Sequence, residues 1–168
     1  MRAILIYLSL SLIAFGPFPL LGQEDSVNTR LLKEVLAQWP RDRKGKIIRG
    51  VTISMLAYHG ALVRKDIRLL SVTSSKKLCY QHSNGWVETQ EEQFRNIETG
   101  YLVYHRFLED SVLVNIRSNN LATVGFKATV EVSLQGKRNT YHLLVEEDWE
   151  RLSDSNHWII YARRATKL

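Results

Sequence analysis

Residues 121–134 read LATVGFKATVEVSL, and they alternate without a fault. Ala122, Val124, Phe126, Ala128, Val130, Val132 and Leu134 fall on one side of an extended chain, and Thr123, Lys127, Thr129, Glu131 and Ser133 on the other. A side-chain period of two marks a strand with one buried and one wet face, the habit of antiparallel sheets. Gly125 offers so long a strand a place to bend. The same grammar continues on both sides. YLVYHRFLE (101–109) and SVLVNI (111–116) are strand-like and come before it. QGKR (135–138) turns the chain, and TYHLLVEEDWERL (140–152), a turn SDSN (153–156) and HWIIYARRA (157–165) follow. Everything after Gly100 is expected to be antiparallel sheet.

Before Gly100 the period changes. Leu31, Leu32, Val35, Leu36 and Trp39 recur at helical spacing until Pro40 stops them. RDRKGK (41–46) reads as a solvated linker. Ile48, Val51, Met55, Tyr58 and Leu62 then predict a helix over 47–65 with one buried stripe, and His59 lies off that stripe, in solvent. A short helical turn after Asp66 carries Ile67, Leu69 and Leu70 and leads into a first strand over 78–82. Asn84-Gly85 signals a two-residue hairpin of type I′. Thr89 and Glu92 form a capping box, the helix behind them turns Phe94 and Ile97 inward, and Gly100 is its left-handed stop. Helices first and a strand meander after them make an α+β domain.

The first 22 residues have another logic. Arg2 is followed by an apolar run from Ala3 to Phe15, then Gly16, Pro17 and Pro19, with small Gly22 before polar Gln23. That order is a signal for export, to the periplasm or the medium. The run is shorter than the roughly 20 residues of a spanning helix, so no stable membrane span is expected after cleavage. The expected organisation is a signal peptide over 1–22, a helix and linker over 23–45 and a globular domain over 46–168. Lysine and arginine outnumber aspartate and glutamate 23 to 17. They are scattered, without a basic face interleaved with stacking aromatics, which argues against nucleic-acid binding. A single cysteine, Cys79, closes no internal disulfide and reads as a small buried hydrophobe. Histidines 59, 82, 105, 142 and 157 show no metal-ligand spacing, and there is no phosphate-cradling glycine loop. No metal and no cofactor are expected.

The pattern Tyr80-x-His82-Ser83-x-Gly85-x-x-Glu88-Thr89, with Phe94 and Gly100 behind it, resembles the nuclear transport factor 2-like superfamily in its bacterial SnoaL-like branch. The close of the sequence, Trp149 to Leu168, is similar to the close of the same group, and the likeness spans 46–168. It implies a cone, with helices folded against a strongly curved antiparallel sheet and a pocket at the open end. Relatives include ketosteroid isomerases, polyketide cyclases and dehydratases, besides many proteins without a known reaction, and a fold does not transfer an activity. Two departures stand out. Arg164 occupies a place where glutamine is frequent, and the SDSN turn is longer than the common Asp-Gly turn.

Glu147 falls on the apolar face of its strand with Tyr141, Leu143, Val145 and Trp149. A carboxyl group buried there is either paired or holds its proton by a raised pKa, which is what a general base exploits. It could equally pair with Arg163 on the next strand or lie beyond the core. His82 shares parity with Tyr80 and could reach a cavity mouth, or simply bond the turn backbone. Tyr80, Tyr101, His105, Tyr161 and Arg163 complete the candidate ligand-binding set, one suited to an apolar or amphipathic molecule with a few oxygens. Three functions fit. The first is binding of a small, largely apolar molecule. The second is a cofactor-independent isomerase, cyclase or lyase with Glu147 as base and His82 or a tyrosine assisting. The third is an interaction module, and a homodimer is compatible with all three.

Overall fold

The computed structural model of the chain describes residues 31, 33, 34, 37, 42–153 and 156–168. The expected export signal (1–22) lies outside them, as does most of the expected helix over 26–39. Its described positions, Leu31, Lys33, Glu34 and Ala37, are helical, and Leu31 packs on the core. Among the described residues no helix is long and apolar enough to cross a membrane.

Helix α1 (Arg43–Arg64) begins earlier than its apolar stripe suggests. The Asp42 carboxylate caps it by accepting the Gly45 N–H at 2.7 Å, so the stretch expected to be a linker is the first turn of the helix. Lys65, at φ 55°, ends it. Asp66 caps α2 (Ile67–Thr73) in the same way, through the Leu69 N–H. Then follow β1 (Ser74–Gln81), β2 (Val87–Glu88) and α3 (Gln90–Glu98), which carries both halves of the expected capping box and closes on Gly100 at φ 74°. Long strands complete the chain: β3 (Leu102–Ile116), β4 (Leu121–Leu134), β5 (Lys137–Arg151) and β6 (Trp158–Lys167).

The turn between β1 and β2 differs from expectation. Only Gly85 has positive φ there; its N–H donates to the His82 carbonyl, and the Trp86 N–H to the Asn84 side chain. This is a three-residue loop with a left-handed glycine at its end. The pair with both φ values positive is Gln135-Gly136, at 50° and 79°, which joins β4 to β5.

The six strands form one curved, open sheet in the order β2-β1-β6-β5-β4-β3. All pairs are antiparallel except β1 with β6, which is parallel. The chain's last strand therefore lies inside the sheet. Alternation along β4 is as the sequence dictates, with Ala122 to Val132 buried at every second position. Elsewhere bulges change the parity. In β3 the register slips between Tyr104 and Arg106 and again between Asp110 and Leu113, where Ser111 takes φ 54°. Two expected strands are thus one bent strand. A third slip lies between Asp148 and Trp149.

Helix α1 lies across the inner face and is buried around most of its girth from Val51 to Val63. Val51, Met55, Tyr58 and Leu62 are all fully buried, each worth about 1.5–3 kcal/mol relative to exposure for the aliphatic side chains. His59, expected in solvent, is only 1% exposed. A helix wrapped by a curved sheet has too little solvent face left to spare the position next to the stripe. Cys79, expected to be buried, points outward between buried Leu78 and Tyr80.

Candidate functional site

Four charge-bearing side chains from four elements meet in the interior. His59 comes from α1, Glu109 from β3, Glu147 from β5 and Arg163 from β6, and none is more than 5% exposed. His59 Nδ1 lies 2.5 Å from Glu109 Oε1 and Nε2 lies 2.9 Å from Glu147 Oε1. The Trp149 indole N–H donates to the second oxygen of Glu147 at 3.2 Å. Glu147 and Arg163 are direct cross-strand partners, with Arg163 Nε 3.8 Å from the carboxyl. Phe107 stacks on the imidazole at 3.9 Å between centroids.

Burial alone would strip His59 of its proton. The charge of Glu147 and hydrogen bonds to Glu109 and Glu147 outweigh that, and its pKa is pushed up to about 9. At neutral pH it is an imidazolium donating from both nitrogens. In that state it cannot ligate a metal, and among the described residues no group of three or more side chains is placed to hold one. Burial also raises the phenols nearby, Tyr80 to about 12 and Tyr58 and Tyr104 well above the ordinary value, so they remain hydroxyl donors. Tyr58 donates to Gln93 at 2.8 Å, and Tyr104 to Tyr80 at 3.3 Å.

Arg163 connects this cluster to a cavity. Its guanidinium lies over the Tyr80 ring, 4.4 Å from the centroid, and Nη1 donates to the Gln81 carbonyl at 3.2 Å. Beyond it opens a cavity of about 80 Å3 between the β1–β2 loop and the adjoining ends of β3, β4, β5 and β6. Its walls are Leu102, Val130, Val132, Leu134, Tyr141 and Leu143, with Trp86 at one side. Polar groups enter from His82, Ser83, Asn84, Tyr104, Arg163 and Lys167.

His82 faces this cavity with a partner that the sequence did not suggest. Its Nε2 lies 2.6 Å from Glu88 Oε2, and the Asn96 amide donates to the other Glu88 oxygen at 2.6 Å. Glu88 is fully buried. Trp86 stacks on the imidazole at 4.5 Å and fixes the ring. Strand β2 thus supplies the carboxyl group that meets the histidine, and Asn96 of α3 holds its other oxygen.

The candidates from sequence are dispersed. Glu147 is inward, as its parity implies, but it does not line the cavity, and both of its oxygens are engaged. It and His82 belong to separate clusters. Arg163 and His82 line the cavity. Tyr80 lies buried beneath Arg163. Tyr101 is exposed beside Trp86, edge-on at 6.1 Å between centroids, and is not part of the lining. His105 bonds Ser133 on the solvent face of the sheet at 2.8 Å, and Tyr161 accepts from Arg117 at 2.5 Å on that same face. Both corrections follow from the bulges: one shifts parity between His105 and Phe107, the other leaves Tyr161 without a partner opposite on β5. Glu109 was missed for the same reason. His59 had a signal, since Val51, Met55 and His59 stand four residues apart on one helical line.

No protein-family model and no curated protein matches the chain. Solved structures do. An NTF2-like protein of unknown function in nutrient uptake from Rhodospirillum rubrum aligns with a TM-score of 0.66 at 17% identity, covering 70% of this chain and 98% of its own. A proposed scytalone dehydratase from Novosphingobium aromaticivorans aligns at 0.62 and 12% identity, over 77% of this chain and 89% of its own. An uncharacterised protein with a cystatin-like fold from Caulobacter vibrioides aligns at 0.57 and 8%, over 71% and 87%. At such identities the likeness is one of fold. This chain has the nuclear transport factor 2-like fold, an α+β architecture of helices packed on a curved, open and mostly antiparallel sheet.

Proposed function

We propose that the chain binds a small, largely apolar molecule in the cavity above Arg163. One observation carries this reading: apolar walls from three strands, β3, β4 and β5, border a space whose polar groups gather mainly at the loop and at β6, the division of labour of a ligand pocket. The carboxyl group of Glu147 is committed to His59 and Trp149, which favours binding over proton transfer by that residue. The test is a titration of the 15N-labelled chain with short-chain alcohols and carboxylic acids, followed at the Trp86 indole N–H. Saturable shifts that disappear when Val132→Trp fills the cavity support the reading. Shifts that are absent, or unchanged in that variant, refute it.

A second reading rests on the His82–Glu88 pair. An imidazole lining a cavity and oriented by a buried carboxyl group has the makings of a general base. In this reading the chain is a cofactor-independent isomerase, cyclase or lyase, with His82 as the base in place of Glu147 and Glu88 orienting it. Proton exchange at the α-carbon of a bound ketone or thioester, lost in His82→Gln while binding persists, would support it. Binding without exchange leaves the first reading alone.

A further inference from the structure

We propose that the molecule taken by this cavity is a small carboxylate, its head against Arg163 and its hydrocarbon body against the strand walls. The inference rests on the binding reading above and names the ligand class.

Arg163 is the starting point. It is 3% exposed, yet it lines the cavity. A guanidinium carries five N–H donors. Among the described residues only Nη1 has a hydrogen bond, to the Gln81 carbonyl, while Nε is buried without one, and Glu147 at 3.8 Å is an ion-pair neighbour beyond hydrogen-bond range. A buried cation with so few bonds is under-satisfied, and an acceptor arriving through the cavity would correct that.

Nearby carboxyl groups do not compete for the place. Glu109 and Glu147 share the imidazolium of His59, and Glu88 is held by His82 and Asn96. Among the described residues no aspartate or glutamate lines the cavity, whereas the cations Arg163 and Lys167 do. The second is Lys167, on the same face of β6 as Arg163 and two alternations further on, exposed at the rim with its ammonium 5.3 Å from the Tyr141 ring centroid. Arg163 is placed to hold a head group and Lys167 to attract it from solvent.

Size and wall chemistry narrow the class. At about 10–15 Å3 for one buried water, a cavity of 80 Å3 has room for on the order of six atoms. Leu102, Val130, Val132 and Leu143 offer nothing to a second or third charge, which disfavours a phosphate dianion. A planar carboxylate fits the fork of an arginine and leaves the walls to a short aliphatic chain.

The experiment compares butyrate with 1-butanol, both within the size of the cavity, on the full chain by calorimetry and by the Trp86 indole shift, with inorganic phosphate as competitor. The expected result is an acid bound at least tenfold more tightly than the alcohol and undisplaced by equimolar phosphate. Lys167→Gln, a rim change that leaves the interior intact, reduces the preference about threefold, and Arg163→Gln abolishes it. Equal affinity for acid and alcohol overturns the carboxylate inference and leaves the binding reading standing. So does a preference that survives in Lys167→Gln undiminished, or displacement by phosphate. Failure of both probes to bind removes the binding reading and the inference with it. Should Arg163→Gln not fold, the Lys167 variant and the acid–alcohol ratio decide.

Discussion

His59→Gln tests whether the interior of this protein is held together by a proton. The wild-type imidazole titrates near 9 when folded, against 6.5 in the unfolded chain. A folded pKa above the unfolded one gives stability that is whole below pH 6.5 and lost as pH rises through 9. At about 1.4 kcal/mol for each pH unit of that interval, the loss is about 3 kcal/mol. Tyrosines 58, 80 and 104 do not confuse the window, because burial moves their ionisation above the ordinary phenol range. Glutamine keeps most of the volume but none of the charge, so Glu109 and Glu147 face each other across an uncharged amide. Removing one member of a buried ionic cluster costs about 3–5 kcal/mol. Urea unfolding followed by tryptophan fluorescence at pH 6, 7.5 and 9 measures both. The wild type should lose stability steadily along that series. The variant should be several kcal/mol weaker at pH 6, and its deficit should shrink towards pH 9. A wild-type curve flat from pH 6 to 9, or a deficit independent of pH, would refute the assignment of the proton to His59.

Two further outcomes are simple to check. Gly136→Ala places a Cβ at φ 79° in the β4–β5 turn and should cost about 1–2 kcal/mol in denaturant melts, with the native near-UV spectrum retained. Cys79, exposed on β1, should react stoichiometrically with a maleimide in the folded chain, and a requirement for denaturant would contradict its placement.

Much of this fold was legible because its signals are local. The alternation of 121–134 needs no partner to be read, and Thr89 with Glu92 declares a helix start within four residues. Glu147 could be placed inward by parity alone. What could not be read depends on register. A bulge after Tyr104 turns His105 out and Glu109 in, and nothing in YLVYHRFLE marks it. The Glu88–His82 contact needs the β1–β2 loop to fold back, with Tyr80 opposite Glu88, which a two-residue reading of Asn84-Gly85 does not predict. His59 shows the limit of a stripe: periodicity tells which helix face is most buried, and the curvature of the sheet decides how far burial extends around it.

The interior position of β6 has a consequence for biosynthesis. Strand β1 leaves the ribosome at residue 81 and must wait until residue 158 and beyond for its parallel neighbour. At about 5–20 residues per second that wait is roughly 4–15 s. Throughout it, the edges of β1 and β5 that β6 will fill stand open, each a row of unpaired backbone donors and acceptors. The nascent chain is therefore most vulnerable to association with other chains just before its final strand arrives, and anything that delays β6 prolongs that exposure.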